Sequence, residues 1–176
     1  MSWDKELEEL RHREGLAEQM GGGEKVARQH SRGKMDARAR LAALVDPGSF
    51  REIGKIAGKA SYDQDGNLEH ILPAPFLFGK AEINGRPVVA TADDFTIRGG
   101  AADAGISRKM VQAEKMAHEL KLPIIRMIDG TGGGGSVKTL EQIGATYIPA
   151  VPGWSDVVKN LDTVPVVALA LGPTAG

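Results

Sequence analysis

The order of apolar segments between residues 76 and 128 most constrains the fold of this chain. Two runs, "FLFGKAEI" (76–83) and "PVVATADD" (87–94), are joined by Asn84-Gly85-Arg86, a strong signal for a β-hairpin. Residues 104–122 then carry apolar side chains at helical spacing, and Pro123 prevents that helix from continuing. "PIIRMI" (123–128) predicts a short buried strand. Hairpin, helix and strand in this order predict an α/β fold.

Two further segments extend that pattern towards the last residue. A helix is predicted over part of 153–161, and "VPVVALAL" (164–171) is predicted to be a second buried strand that runs into "GPTAG". Both predicted buried strands end in glycine-containing turns. Since ligands of α/β folds bind at the carboxyl ends of strands, we expect the functional site at these turns.

The first 45 residues are predicted to form a helical extension, and residues 46–176 the domain that follows it. Ser2 is the expected N-cap of a first helix, which ends at the triple glycine 21–23, and Asp36 is the expected N-cap of a later one. Basic and acidic residues are nearly balanced over 1–40, which favours a solvated or partner-packing arm over a nucleic-acid-binding arm. Trp3 and Trp154 are predicted to be packing residues.

Between Phe50 and Pro75 the chain is predicted to form one strand, "FREIGKIAG" (50–58), followed by a polar loop. Asp63, Asp65 and Asn67 in "SYDQDGNLEH" are spaced like ligands of a calcium loop, but the glutamate that should close such a loop is absent. A surface turn is therefore expected there.

The composition narrows the possible partners. Of the 176 residues, 41% are hydrophobic and 26% are charged, which is typical of a globular protein. Lys and Arg number 22 against 23 Asp and Glu, so we expect no nucleic-acid partner. The sequence has no cysteine and its four histidines are scattered, so no metal site is expected and a reducing cytoplasm is indicated. "VPVVALAL" is too short to span a bilayer, so a soluble protein without a membrane partner is expected.

The loop "DGTGGGGSVKT" after the first buried strand fits three chemistries. Gly130, Gly132 and Gly135 satisfy the dinucleotide pattern G-x-G-x-x-G, but the acidic residue expected at the end of the next strand is absent. "GGGGSVKT" resembles a phosphate loop, but β-branched Val137 replaces its last glycine. Consecutive glycine N–H groups could instead form an oxyanion hole. The spacing alone does not distinguish an oxyanion hole from a glycine loop that binds no ligand.

Three segments narrow these alternatives through a family resemblance. "GKMDARARLAALVDPGSFREIG" (33–54), "AEINGRPVVATADDFTIRGGA" (81–101) and "LALGPTAG" (169–176) resemble, in the same order, the carboxyltransferase subunit of biotin-dependent acyl-CoA carboxylases of the propionyl-CoA and methylcrotonyl-CoA carboxylase type. The resemblance implies a crotonase-like fold of repeated strand-strand-helix units with a helical N-terminal extension. It also implies that the domain is incomplete at its C-terminus.

The resemblance also implies which residues bind the substrate. Asp129 matches the start of the family pattern Asp-Ser-Gly-Gly-Ala-Arg, so the oxyanion donors would be the N–H groups of Gly132 and Gly133, with Gly134 as the alternative shifted by one residue. The family's CoA region corresponds to residues of two segments of this chain. These are Phe95, Ile97, Gly99, Gly100 and Ala101, together with the turn from Gly172 to Gly176.

The implied reaction needs no protein nucleophile. In the family, carboxybiotin on a biotin carboxyl carrier protein releases CO2, the ureido anion takes the α-proton of an acyl-CoA, and the enolate attacks CO2. A biotin carboxylase subunit and a homo-oligomer are the other expected partners. We expect this polypeptide to be inactive alone, because family subunits have a second domain that binds biotin. A biotin-dependent decarboxylase and a non-catalytic CoA-binding or assembly module remain alternatives.

Overall fold

A computed structural model describes residues 2–100, 104–130, 141, 144 and 153–174 of the chain. The catalytic glycines predicted above (132–134), Ala101 and Gly176 lie outside the described residues. No helix in the described ranges combines the length and the apolar character needed to cross a membrane.

Three helices open the chain: α1 (Asp4–Glu18), α2 (Gly23–Ser31) and α3 (Ala37–Leu44). Asp36 caps α3 as predicted, because its Oδ1 accepts a hydrogen bond of 2.9 Å from the Ala39 N–H. Its other carboxylate oxygen lies 2.8 Å from His30 Nε2, which ties α2 to α3. The prediction for α1 was wrong by one residue, since its N-cap is Trp3 and not Ser2.

The described strands form two separate sheets. They are β1 (Arg51–Glu52), β2 (Gly58–Tyr62), β3 (Leu68–Pro73), β4 (Phe76–Ile83), β5 (Arg86–Asp93), β6 (Ile124–Gly130) and β7 (Val166–Thr174). In this part of the chain, β2 and β3 pair with each other alone, and the other five strands follow the order β1-β4-β5-β6-β7. The β4–β5 and β1–β4 pairs are antiparallel, whereas β5–β6 and β6–β7 are parallel.

The predicted hairpin is confirmed, and its turn is anchored by an upstream aspartate. Asn84 and Gly85 have φ values of 50° and 71°, a left-handed pair that suits an Asn-Gly turn between two strands. The Asp46 carboxylate accepts hydrogen bonds from the N–H groups of Asn84 and Gly85, at 2.9 and 2.7 Å. The loop after α3 therefore fixes the far end of the hairpin.

Helices cover both faces of the larger sheet. Alternation along β5 places Val88, Ala90 and Ala92 in a core shared with α3, while Val89 lies in a core on the opposite face. That second core includes residues of α4 (Ala104–Leu120), the helix predicted after the hairpin. A further helix, α5 (Trp154–Thr163), packs against α4 through the fully buried Asn160.

Three other expectations need correction. Of the strand predicted over 50–58, only Arg51–Glu52 pairs with β4, and Gly58 begins the separate β2–β3 hairpin, with the expected turn at Asp63. The strand β7 forms in the predicted place, but as an edge strand of the described sheet it leaves Val167 44% exposed. Trp3 and Trp154, at the starts of α1 and α5, are 69% and 63% exposed and are not core packing residues.

The α3 cap yields a stability prediction. Asp36→Ala removes the acceptor for the Ala39 N–H and the contact with His30, so we expect a loss of about 1–2 kcal/mol in the free energy of unfolding. Urea denaturation measures it. Asp36→Asn keeps a side-chain acceptor and serves as the control; an equal loss in both variants would contradict the capping role.

Candidate functional site

The carboxyl ends of β5, β6 and β7 meet at one edge of the sheet. The parallel register pairs Ala92 with Met127 and Gly130 with Thr174, so Asp93, Asp129 and Gly172 lie on three adjacent strands near their carboxyl ends. Two segments that contain predicted binding residues lie at this edge. The turn after β5 starts here, and β7 ends here. The glycine loop predicted as the oxyanion hole begins directly after Gly130.

A buried ion pair fixes the centre of this edge. Arg40 of α3 places Nη2 2.6 Å from Oδ2 of Asp129, and the two side chains are only 7% and 0% exposed. The same nitrogen lies 3.5 Å from the carbonyl oxygen of Leu171, to which it donates a hydrogen bond. One guanidinium thus links α3, β6 and β7.

Two glycines allow the backbone to close around Asp129. A Cβ at Gly172 would overlap the Asp129 carboxylate, and a Cβ at Gly100 would overlap the Asp129 carbonyl oxygen. Gly100 also has φ of +66°, a conformation that strains any residue with a side chain. Glycine is therefore required at both positions for the strand ends and the turn after β5 to approach each other.

The turn after β5 is held by Asp94. Its Oδ1 accepts hydrogen bonds from the backbone N–H of Thr96, at 2.9 Å, and from the Thr96 hydroxyl, at 2.6 Å. That hydroxyl in turn accepts a 3.0 Å hydrogen bond from the Gly21 N–H, which joins the turn to the segment before α2. Asp94 therefore acts as a turn residue.

Asp93 differs from Asp94 in facing a cavity. Its Oδ2 accepts a 3.1 Å hydrogen bond from the N–H of Asp129, which lies just before the glycine loop. Burial raises the pKa of the Asp93 carboxyl from 3.8 to about 6, and the neighbouring negative charge of Asp129 acts in the same direction. The Asp129 N–H and Arg40 oppose this rise. Asp93 thus changes charge close to neutral pH.

The cavity beside Asp93 is small and mostly apolar. It measures about 230 Å³ and lies between the sheet and helices α4 and α5, with walls that include Phe76, Met110 and Val157. Across it, Arg126 and Glu114 form a bidentate ion pair, with N···O distances of 2.9 and 2.8 Å. Besides that ion pair, Asp93 is the ionisable residue among the described residues of the wall.

The structure brings together part of the predicted CoA region. Phe95, Ile97, Gly99 and Gly100 lie in one short turn, whose last glycine contacts Asp129, and Gly172 contacts Asp129 from the other side. Ile97 is only 1% exposed, so its side chain packs inside the protein. The assignment of these residues to CoA stays a prediction.

Sequence reasoning missed Arg40. Its one visible signal is position, since it stands on the same side of α3 as Ala37 and Leu41, which are buried against the sheet. The groups gathered at this edge from described residues are carboxylates, a guanidinium and backbone amides. Such groups can position a ligand and stabilise charge. No cluster of metal-ligating side chains occurs among the described residues.

Known proteins share this architecture. The fold is the crotonase-like α/β fold of carboxyltransferases: the chain aligns in full with a crystal structure of transcarboxylase 12S, determined with methylmalonyl-CoA and methylmalonic acid bound, at a TM-score of 0.76 and 28% identity. It covers 33% of that chain. The chain belongs to the carboxyl transferase domain family, whose model matches residues 28–176.

Relatives in the family catalyse several reactions. The chain is 33% identical to the methylmalonyl-CoA carboxyltransferase 12S subunit of Propionibacterium freudenreichii subsp. shermanii, and 30% identical to the methylmalonyl-CoA decarboxylase subunit alpha of Veillonella parvula. It is also 30% identical to the propionyl-CoA carboxylase beta chain of Cereibacter sphaeroides. These alignments cover 96–97% of this chain but only 32% of the length of each relative. The chain therefore spans about a third of the relatives it matches.

Removing one partner of the buried ion pair should destabilise the protein more than removing both charges. Arg40→Met leaves the Asp129 charge buried without a partner, so we expect a loss of about 3–5 kcal/mol in the free energy of unfolding. Chemical denaturation measures it. The double variant Arg40→Met/Asp129→Asn removes that charge and should recover part of the loss. A single variant within about 1 kcal/mol of the wild type would contradict the role of the pair.

Asp93 predicts a pH-dependent effect. Because its pKa is higher in the folded state than the ordinary 3.8, the charged form destabilises the fold. The penalty is complete above about pH 6 and disappears as the pH falls towards 4. Asp93→Asn should therefore raise the free energy of unfolding at pH 7.5 by up to about 3 kcal/mol, and by little at pH 4.

The comparison needs a control for the change from Asp to Asn. Asp65→Asn, on the exposed turn between β2 and β3, changes the same charge at a surface site and should leave the stability at both pH values nearly unchanged. Equal effects of Asp93→Asn at the two pH values would show that Asp93 has an ordinary pKa.

Proposed function

We propose that this chain is the acyl-CoA-binding part of a biotin-dependent carboxyltransferase, which transfers CO2 from carboxybiotin to the α-carbon of an acyl-CoA. The backbone N–H groups of Gly132 and Gly133, or of the shifted pair that includes Gly134, would stabilise the thioester enolate. Family membership supports this proposal, and so does similarity to proteins named for methylmalonyl-CoA and propionyl-CoA.

The observation that carries the proposal is the convergence of backbone on Asp129. Gly100 from the turn after β5 and Gly172 from β7 both approach it so closely that a side chain would overlap. The two segments predicted to bind CoA therefore meet beside the residue from which the glycine loop starts. A thioester placed at this edge would lie beside the residue after which the glycine loop begins.

The residues of this chain have positioning and electrostatic roles in the proposed reaction. Arg40 and Asp129 hold the start of the glycine loop, and Asp93 accepts the N–H of Asp129. In other enzymes, preorganised donors need no rearrangement as such a charge develops, and removal of one donor costs about 3 kcal/mol of transition-state stabilisation. Carboxybiotin supplies CO2 when bound, and no described residue of this chain is assigned to hold it.

The partners of the complete enzyme belong to the same proposal. They are a biotin carboxyl carrier protein, a biotin carboxylase subunit and further copies of the carboxyltransferase. Because the sequence lacks cysteine, we propose that the protein acts in the reducing cytoplasm. We also propose that residues 1–45 form an extension to a domain spanning 46–176.

A decarboxylase is the second candidate function. The similarity to a methylmalonyl-CoA decarboxylase subunit favours it as much as the carboxylase similarity favours the first, since both relatives are 30% identical to this chain. Both reactions pass through the same enolate, so they require the same acyl-CoA site. Assay of the complete enzyme with propionyl-CoA and with methylmalonyl-CoA separates the two directions.

Acyl-CoA binding is testable with the chain itself. Titration of the isotope-labelled protein with propionyl-CoA should shift the amide resonances of residues 95–101 and 130–135, because these segments would contact the thioester end of the ligand. NMR spectroscopy measures the shifts. Amides of the β2–β3 hairpin (58–73) are the internal control and should not move. Shifts restricted to that hairpin or to other distant elements would contradict the proposed site.

A further inference from the structure

The first part of helix α1 lies in water, whereas the last part is anchored to the rest of the protein. Every residue from 2 to 12 is exposed, but Ala17, near the other end of the helix, is fully buried. The anchored part is also held by an ion pair, since Lys55 Nζ lies 2.8 Å from Oε1 of Glu18. We call residues 2–12 the free segment.

The free segment carries an apolar stripe. Trp3, Leu7 and Leu10 follow each other at intervals of four and three residues, which puts them on one side of the helix. Their exposed fractions are 69%, 44% and 42%. The same alternation of four and three continues to Glu14 and to the buried Ala17. This spacing is that of a coiled-coil seam, in which such side chains pack against a second helix.

A helical segment this exposed gains little stability from its own protein. Burial begins only at Arg13, and one internal ion pair supports the turns before it, with Arg13 Nε 3.0 Å from Oε1 of Glu9. Helices shorter than about 12–15 residues are marginal in water without tertiary packing. A partner helix that covers the apolar stripe would stabilise the free segment through hydrophobic burial.

The charges beside the stripe indicate which helix that partner is. Asp4 and Glu6 flank the stripe near the start of α1, and Arg11 and Arg13 occupy the equivalent positions seven residues later. In an antiparallel pair of α1 helices, Asp4 of one copy faces Arg11 of the other, and Glu6 faces Arg13. The surface is therefore complementary to itself, as a two-fold interface between identical chains requires.

A parallel pair of the same helices fits less well. It would place Glu14 opposite its own copy within the seam, so that two negative charges face each other. It would also bring both protein bodies, into which each helix is anchored at Ala17, to the same end of the pair. Antiparallel pairing instead sets Leu7 of each copy against Leu10 of the other and places the bodies at opposite ends.

We propose that the free segment is a self-association surface, through which two copies of this chain dimerise as an antiparallel helix pair. The overlap runs from Trp3 to Glu14 and is about 18 Å long. An interface of this length belongs to the small, transient class of protein contacts, so the dimer forms and dissociates with protein concentration. The dimer does not depend on the proposed acyl-CoA site, since no residue of the free segment belongs to that site.

Sedimentation velocity of the whole chain measures the dimer. We expect a reversible monomer–dimer equilibrium between about 10 µM and 1 mM. The double variant Leu7→Ser/Leu10→Ser should weaken it by about tenfold or more, because both apolar contacts of each copy are lost. Circular dichroism and thermal melting confirm that the variant is folded. A wild-type chain that stays monomeric throughout this range overturns the inference.

The matched control changes a second pair of exposed apolar side chains on a helix. Val158 and Leu161 of α5 are three residues apart, like Leu7 and Leu10, and are 52% and 65% exposed. Val158→Ser/Leu161→Ser should dimerise as the wild type does. If this variant weakens association as much as Leu7→Ser/Leu10→Ser or more, the contact does not depend on α1 and the inference is wrong.

Charge reversal tests the partner and the orientation together. Asp4→Arg and Arg11→Asp should each weaken self-association in low salt by roughly fivefold, because each creates two pairs of like charges between the copies. An equimolar mixture of the two variants should recover the wild-type affinity, since every arginine at these positions then faces an aspartate of the other chain. Unchanged association of both single variants, or no recovery in the mixture, contradicts the antiparallel contact.

Discussion

The ion pair between Arg40 and Asp129 organises the rest of the described structure. Asp129 is fully buried at the end of β6, where a lone charge would be strongly destabilising, so a guanidinium has to reach it from outside the sheet. Arg40 can do so because Asp36 caps α3 and Ala37 and Leu41 bury one side of that helix against the sheet. The N-terminal helices are in this way part of the site.

Two unlike surfaces lie around that pair. The strand ends offer backbone amides and closely packed glycines, which suit a small planar thioester. The cavity between α2 and the turn after β5 is lined instead by long cationic side chains and the ring of Phe95.

Local patterns in the sequence predicted the centre of the fold well. The Asn84-Gly85 turn, the helix before Pro123 and the strand "PIIRMI" each carry a strong local signal, and each is found where expected. The β2–β3 hairpin was missed because the two short strands, GKASY and LEHILP, show no regular alternation of apolar and polar residues. "VPVVALAL" was misjudged as buried because a continuous apolar run does not reveal whether its strand has neighbours on both sides.

The site was less predictable because it depends on interactions between distant segments. Nothing near Arg40 in the sequence indicates its pairing with Asp129. The near balance of charge over residues 1–40 concealed a segregation, since most acidic residues fall in α1 while Lys25, Arg28 and Arg32 gather in and just after α2. Only the tertiary arrangement shows that these cations face Phe95.

The two sides of the larger sheet differ in a way that determines how it can grow. On one side it ends in β1, a strand of 2 residues that offers little backbone for another chain to pair with. On the other side it ends in β7, a strand of 9 residues whose outer backbone groups lie along the described edge, although Pro173 offers no N–H there. Strand addition to this sheet is therefore directional: an incoming segment meets a long template at β7 and almost none at β1.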